Sequence, residues 1–327
     1  MRPGAIQSAA LVAALGLAAC DGSLLTRQRP APPPAPAPTV TAPPPATVRR
    51  PPPQPSDASA DLAAFYERLE ANLVARGRLR RETDAAAHAD ALTPDALART
   101  FVRIALFGEY DESGPVLIQR PTETRLHRWS GPVRVELVFG PSVPLADRRH
   151  DRAAADRLIG RLAAASGHPI SRVPTDGNFT VFVMGEDDRP AMLAGMKDRL
   201  PELGPPQIRA LETLPRTDFC LVFSSDPGND GTIARAAALV RAEQTPLLRE
   251  ACLHEEIAQG LGLPNDSPFA RPSVFNDDDE FATLTPLDEA LLAMLYDPRL
   301  VPGMSVEEAR PLLPDIAATA LGLDPAG

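Results

Sequence analysis

Residues 252–266 read Cys252-Leu253-His254-Glu255-Glu256-Ile257-Ala258-Gln259-Gly260-Leu261-Gly262-Leu263-Pro264-Asn265-Asp266. On a helix, at about 100° per residue, Glu255 and Gln259 lie within roughly 40° of each other, with Glu256 and Cys252 flanking the same side. Leu253, Ile257 and Leu261 form the opposite stripe, and apolar residues at this spacing mark the face a helix buries. The polar residues must therefore look into a cleft or into a polar pocket beneath the turn that the glycines begin. His254 precedes Glu255, but Ala258 stands four residues further on, so no two imidazoles share a face and His254 is expected at the surface.

The spacing resembles the zinc site of the metzincin peptidases, H-E-x-x-H-x-x-G-x-x-H, with every histidine replaced. The resemblance puts Glu255, Gln259 and Asn265 at the three metal-ligand positions, Glu256 at the general base and Gly262 at the turn, with Asp266 beside them. Metzincins continue into a tight turn around a methionine and a closing helix. Here Pro272-Ser273-Val274-Phe275-Asn276-Asp277 carries Phe275 in place of the methionine, and the stretch from Leu284-Thr285-Pro286-Leu287-Asp288 to Leu295-Tyr296 resembles the closing helix of the matrixin branch. The implied fold class is α+β: a zincin-like domain with a mixed sheet, a site helix, a Met-turn-like turn and a closing helix.

Zinc favours thiolate, imidazole and carboxylate, and neutral amide oxygens bind it poorly. A Glu, Gln and Asn set therefore implies no cofactor, the alternative being zinc or another divalent cation suited to oxygen ligands. Without a metal, the carboxamides can hydrogen-bond Glu255 and Asp266 to make a polar clasp beneath the Phe275 turn. Glu256 is catalytic only in the alternative in which hydrolysis survives.

The same segment, Cys-Leu-x-Glu-Glu-x-x-Gln-x-Leu-Gly-Leu-x-Asn-Asp, also resembles bacterial lipoproteins grouped as domain-of-unknown-function family 2927, over roughly residues 95–312. That resemblance implies no established activity.

Arg2, the apolar run Ala9 to Ala19 and the lipobox Leu17-Ala18-Ala19-Cys20 read as a lipoprotein signal at 1–19, with Cys20 lipidated. The run is too short to remain as a spanning helix. An ordinary secretory signal is the alternative, and Asp21 is a weak pointer to the inner rather than the outer membrane. Residues 20–60 are Pro-rich, a composition that favours extended polyproline II and serves as a tether. The remainder divides into a helical preamble (61–112), the metzincin-like domain (113–315) and a tail (316–327).

Leu62, Phe65, Leu69, Leu73 and Val74 recur at helical spacing, and a second helix is expected after Thr93-Pro94 with Leu97, Phe101, Ile104, Ala105 and Phe107 inward. Val133–Phe139, Phe179–Met184 and Phe219–Phe223 read as strands, with an amphipathic helix over Ala153–Ala165 between the first two. The 33 basic and 43 acidic residues give a formal charge of −10, which attracts neither nucleic acid nor an anionic membrane surface. Asp277-Asp278-Asp279-Glu280 reads as a solvated loop, with a calcium site as the minority alternative. With Cys20 lipidated, Cys220 and Cys252 are the remaining thiols of an exported chain and are expected to form a disulfide.

Together these readings describe a lipid-anchored, periplasm-facing protein of the cell envelope. Its degenerate metzincin-like domain binds a protein, peptide or envelope component without cleaving it, the alternative being an active metal-dependent hydrolase with Glu256 as general base.

Overall fold

The computed structural model describes residues 54–81, 92–111 and 118–323. The signal, the lipobox with Cys20 and most of the tether lie outside the described residues. Among the described residues no helix is long and apolar enough to cross a membrane.

The chain enters through α1 (Asp57–Ala75) and α2 (Pro94–Ala105). Ser56 and Thr93 cap them by accepting from backbone N–H groups, which satisfies donors a helix start otherwise leaves open. Leu97, Phe101, Ile104 and Ala105 are buried as the spacing requires, whereas Phe107 opens a strand and is only half-buried, and Val74 faces solvent. β1 (Phe107–Asp111) and β2 (Ile118–Glu123) pair antiparallel as a separate ribbon. β3 (Arg128–Trp129) leads into β4 (Val133–Phe139), α3 (Leu145–Ser166), β5 (Ile170–Val173) and β6 (Phe179–Met184). α4 (Arg189–Arg199) and α5 (Pro205–Thr213) precede β7 (Cys220–Ser225), β8 (Thr232–Ile233) and β9 (Arg235–Arg241). The chain ends through α6 (Pro246–Gln259), α7 (Pro286–Leu295), α8 (Val306–Ala309) and α9 (Leu313–Ala320).

The main sheet runs β5-β4-β6-β9-β7. β5, β4, β6 and β9 are mutually parallel, and β7 closes one edge antiparallel to β9. The branched and aromatic runs form β4 and β6 with the bounds their composition indicates, and every residue of β6 is buried, as a strand covered on both faces requires. β7 begins one residue later than expected and extends to Ser225, and α3 starts eight residues before the expected helix, at Leu145. One face carries the large core in which Leu158 and Leu162 of α3, Leu253 and Ile257 of α6, and Leu291 and Leu295 of α7 meet. The other is covered by α4 and α5 through Leu193, Met196 and Leu211 against Phe182 and Phe223. The result is a mixed α+β fold.

Candidate functional site

α6 starts at Pro246, where a proline's missing N–H costs nothing, and ends at Gly260. Leu253, Ile257 and Leu261 are buried, each stabilising the packed helix by about 1.5–3 kcal/mol. Arg249 forms an ion pair at 3.2 Å with Asp151 of α3, both side chains almost wholly buried. The carbonyls at the end of the helix find partners in distant side chains: Trp129 Nε1 donates to Gly260 O at 2.9 Å and the Tyr296 hydroxyl to Leu261 O at 3.1 Å. Gly262 then turns the chain with φ of 119°, where a Cβ would lie 2.1 Å from the carbonyl oxygen of His127. Only glycine fits this bend.

Cys220 at the start of β7 is disulfide-bonded to Cys252 in α6, with the Cα atoms 5.8 Å apart. Phe275 is fully buried in the turn before α7. Ser267 N donates to Phe275 O, and Phe275 N to the Ser273 hydroxyl, both at 2.9 Å. Asp288, the N3 residue of the Thr285 capping box, also accepts from Ser273 Oγ and from Val274 N. The Thr-Pro-x-Asp sequence thus caps α7 and holds the Phe275 turn against it.

His254 is not a surface residue. It is 5 % exposed, and its Nδ1 accepts the backbone N–H of Leu284 at 3.0 Å. Burial, reinforced by Arg161, Arg81 and Arg157, pushes its pKa down to about 3. Sequence periodicity treats a polar residue as outward-facing, and α6 is enclosed more widely than its apolar stripe.

The polar side of α6 faces a cleft of about 1330 Å³. Its lining comes from the β1–β2 ribbon, from the segment Thr217–Asp226 that contains β7, from Glu255, Glu256 and Gln259, and from Asn265, Asp266 and Asp279 beyond the helix. Gln259 Nε2 donates to Asp266 Oδ1 at 3.1 Å, and Asp266 also hydrogen-bonds to Glu255. A bond between two carboxyl groups requires that one carry a proton. Asn265 departs from the expected clasp: its Nδ2 donates instead to the carbonyl of Arg103 at 2.7 Å, and its Oδ1 is buried without a partner. Oε2 of Glu256, a residue only 4 % exposed, is likewise unpartnered.

Sequence reasoning missed Glu109, whose backbone N–H donates to Pro264 O at 3.2 Å and whose carboxylate accepts from Gln119 at 3.0 Å. No local signal marks it, because an isolated glutamate in a short strand looks like any solvated side chain. Burial raises the pKa of Glu255 and of Glu256 well above the usual carboxylate range, with neighbouring carboxyls adding to it. Burial likewise pushes Asp266 up to about 8, helped by Glu109 and Asp277.

The acidic run after the Phe275 turn is not simply solvated. Asp278 pairs with Arg78 and Arg271, and Glu280 with Arg80 and Arg271, while Asp277 and Asp279 line the cleft. The ligand positions suit zinc poorly. Gln259 and Asn265 commit their amide N–H groups to Asp266 and Arg103, and among the described residues no three His, Cys, Asp or Glu side chains are grouped to hold a metal ion.

Fold and site together define a mixed α+β protein with a carboxyl-lined cleft beside an edge strand. The family model described as "Protein of unknown function (DUF2927)" matches residues 94–315, and the chain belongs to that family. No curated protein matches it.

Proposed function

We propose that this is a lipid-anchored, periplasm-facing protein of the bacterial cell envelope whose cleft holds an extended peptide segment without cleaving it. The observation that carries this reading is the position of β7. Among the described residues it ends the sheet and pairs only with β9, and it lines the cleft along its whole length. An edge strand offers unused backbone N–H and C=O groups, and an extended chain satisfies them by adding as another strand. The lipobox ending in Cys20 supports anchoring. A parallel sheet with one antiparallel edge, the Glu255 helix, the buried Phe275 turn and α7 support a metzincin-like architecture.

The chemistry of the cleft supports a non-catalytic role. Burial, with Glu109 and Asp266 adding to it, raises the Glu256 carboxyl well above the usual carboxylate range, so it holds its proton more tightly than a solvent-facing glutamate does. The donor set around Gln259 and Asn265 disfavours zinc.

The test is hydrogen exchange on the detergent-extracted full chain, with and without an acetylated, amidated peptide of alternating threonine and valine. Slowed exchange of the Cys220–Ser225 amides is expected, with casein and gelatin left intact. Binding that leaves those amides unchanged would remove the strand-addition reading. Zinc-dependent cleavage that disappears in Glu256→Gln would favour the hydrolase. Cys20→Ser should release the protein from membranes, and retention of that variant would count against the lipid anchor.

A further inference from the structure

The helix that carries Glu255, Glu256 and Gln259 does not cap itself. Thr245 stands at its N-cap position, yet the Thr245 side chain accepts no backbone N–H there. Glu70 of α1, 178 residues earlier in the chain, does so instead: its carboxylate accepts the Leu248 N–H at 3.3 Å and also bonds the Thr245 hydroxyl. A carboxylate at a helix start satisfies an open donor and complements the helix dipole.

The rest of residues 56–81 reaches the other walls of the cleft from behind. The Tyr66 hydroxyl donates to Arg216 O at 3.0 Å, and its ring meets Phe219, a cleft residue just before β7, edge-on at 6.1 Å. Leu79 N donates at 2.8 Å to the carbonyl of Asp279, which also faces the cleft, and Ala282 N donates to Arg80 O at 2.7 Å. Arg81 returns to α6 and pairs with Glu250 at 2.9 Å. One segment thus touches α6, the entry to β7 and the loop at Asp279.

That segment is held shallowly. Only Ser59 and Tyr66 of the 19 residues of α1 are buried. Tyr66 and Leu79 share a small cluster with Leu248 and Ala282, separate from the large core beneath α3, α6 and α7. The ties at the start of α1 are polar: Ser56 N to Asp187 at 2.9 Å and Ser59 Oγ to Glu243 at 2.8 Å. An element with few buried apolar contacts opens at a lower free energy than the core does.

We propose that residues 56–81 form a strap that opens and closes as one unit and regulates the cleft, whose walls it braces when closed. Opening leaves α6 uncapped and withdraws support from the β7 entry and the Asp279 loop together. The regulation rests on the strand-addition reading. A guest that binds the closed state better must, by linkage, hold the strap shut by the same factor.

Hydrogen exchange on the full chain tests this, first without ligand. The amides of α1, Leu79, Arg80, Leu248 and Ala282 should share one opening equilibrium and exchange faster than those of β6. Glu70→Ala should speed all of them by about fivefold, the change in equilibrium constant that a typical cap contributes, and leave β6 unchanged. Glu70→Gln, which keeps an acceptor, should recover part of the effect. Ser59→Ala, which acts at the start of α1, should speed the same amides and serves as the second variant if Glu70→Ala fails to fold. Faster exchange confined to Leu248 and its neighbours would overturn the strap, as would equal acceleration of β6.

A saturating acetylated, amidated peptide of alternating threonine and valine then tests the regulation. The strap amides should slow by about tenfold while those of Cys220–Ser225 are protected. Protection of Cys220–Ser225 with the strap amides unchanged would overturn the regulation and leave strand addition standing. No protection of Cys220–Ser225 would overturn strand addition and the regulation with it, while the ligand-free exchange still decides whether the strap opens as a unit.

Discussion

Gln259 Nε2 donates to Asp266 Oδ1 at 3.1 Å, so the last turn of α6 is fastened to the segment that follows the Gly262 bend. Gln259 is 6 % exposed, and the bond is partly buried at the wall of the cleft. Gln259→Ala should cost about 1–3 kcal/mol in chemical denaturation, because it leaves Asp266 without its amide donor. A midpoint unchanged from the parent would mean that the clasp contributes nothing to stability.

Asp266 also makes stability depend on pH. Its carboxyl is pushed from 3.8 up to about 8 in the folded chain by burial, with Glu109 and Asp277 adding to the effect and Gln259 and Glu255 opposing it. The folded state therefore holds the proton more tightly than the unfolded state does. The contribution to stability is fully present below the unfolded value and is lost as pH rises through the folded one. Asp266→Asn cannot titrate, so the parent should lose stability relative to this variant between weakly acidic and weakly alkaline pH. Urea midpoints taken at both ends of that range measure the difference. Parallel behaviour of the two proteins would contradict the assignment.

Asp288 joins the α7 cap to the Phe275 turn through Thr285, Ser273 and Val274. Asp288→Ala removes acceptors for several buried donors at once and should cost at least about 2 kcal/mol. Near-ultraviolet circular dichroism should also report loosening around the aromatic side chains. Asp288→Asn, which keeps an oxygen, should restore part of the loss.

The Cys220–Cys252 bond closes a loop with a sequence separation of 32. In the chain-entropy model such a cross-link contributes about 3–4 kcal/mol. Replacing both cysteines with serine should lower the thermal midpoint, and peptide mapping of unreduced parent protein should recover the two linked. Two freely alkylated thiols in denatured, unreduced protein would show that the bond does not form.

Sequence periodicity reveals the elements whose burial is one-sided or whose residues favour strands. β4 and β6 are legible from their branched and aromatic runs, α2 from its Thr-Pro start, and α7 from the Leu-Thr-Pro-x-Asp cap. β9 is not legible. Arg235-Ala-Ala-Ala-Leu-Val-Arg241 has little intrinsic preference for a strand, yet it lies between β6 and β7 because small residues suit that covered position.

At the site, the spacing of Glu255, Gln259 and Asp266 brings their side chains together, whereas Asn265 is drawn off by the carbonyl of Arg103. Glu109 arrives from a ribbon more than a hundred residues earlier in the chain. His254 lies outside the apolar stripe and is buried because neighbouring segments enclose more of α6 than that stripe. Pairings of this kind depend on tertiary placement, which local periodicity does not encode.

The covalent tie between β7 and α6 has a mechanical consequence. The strand that would receive a guest chain and the helix that carries the acidic residues are riveted together, so they cannot part like jaws. The slot keeps a fixed gauge on that side. Reduction of the disulfide should therefore loosen the selectivity of the groove before it unravels the domain.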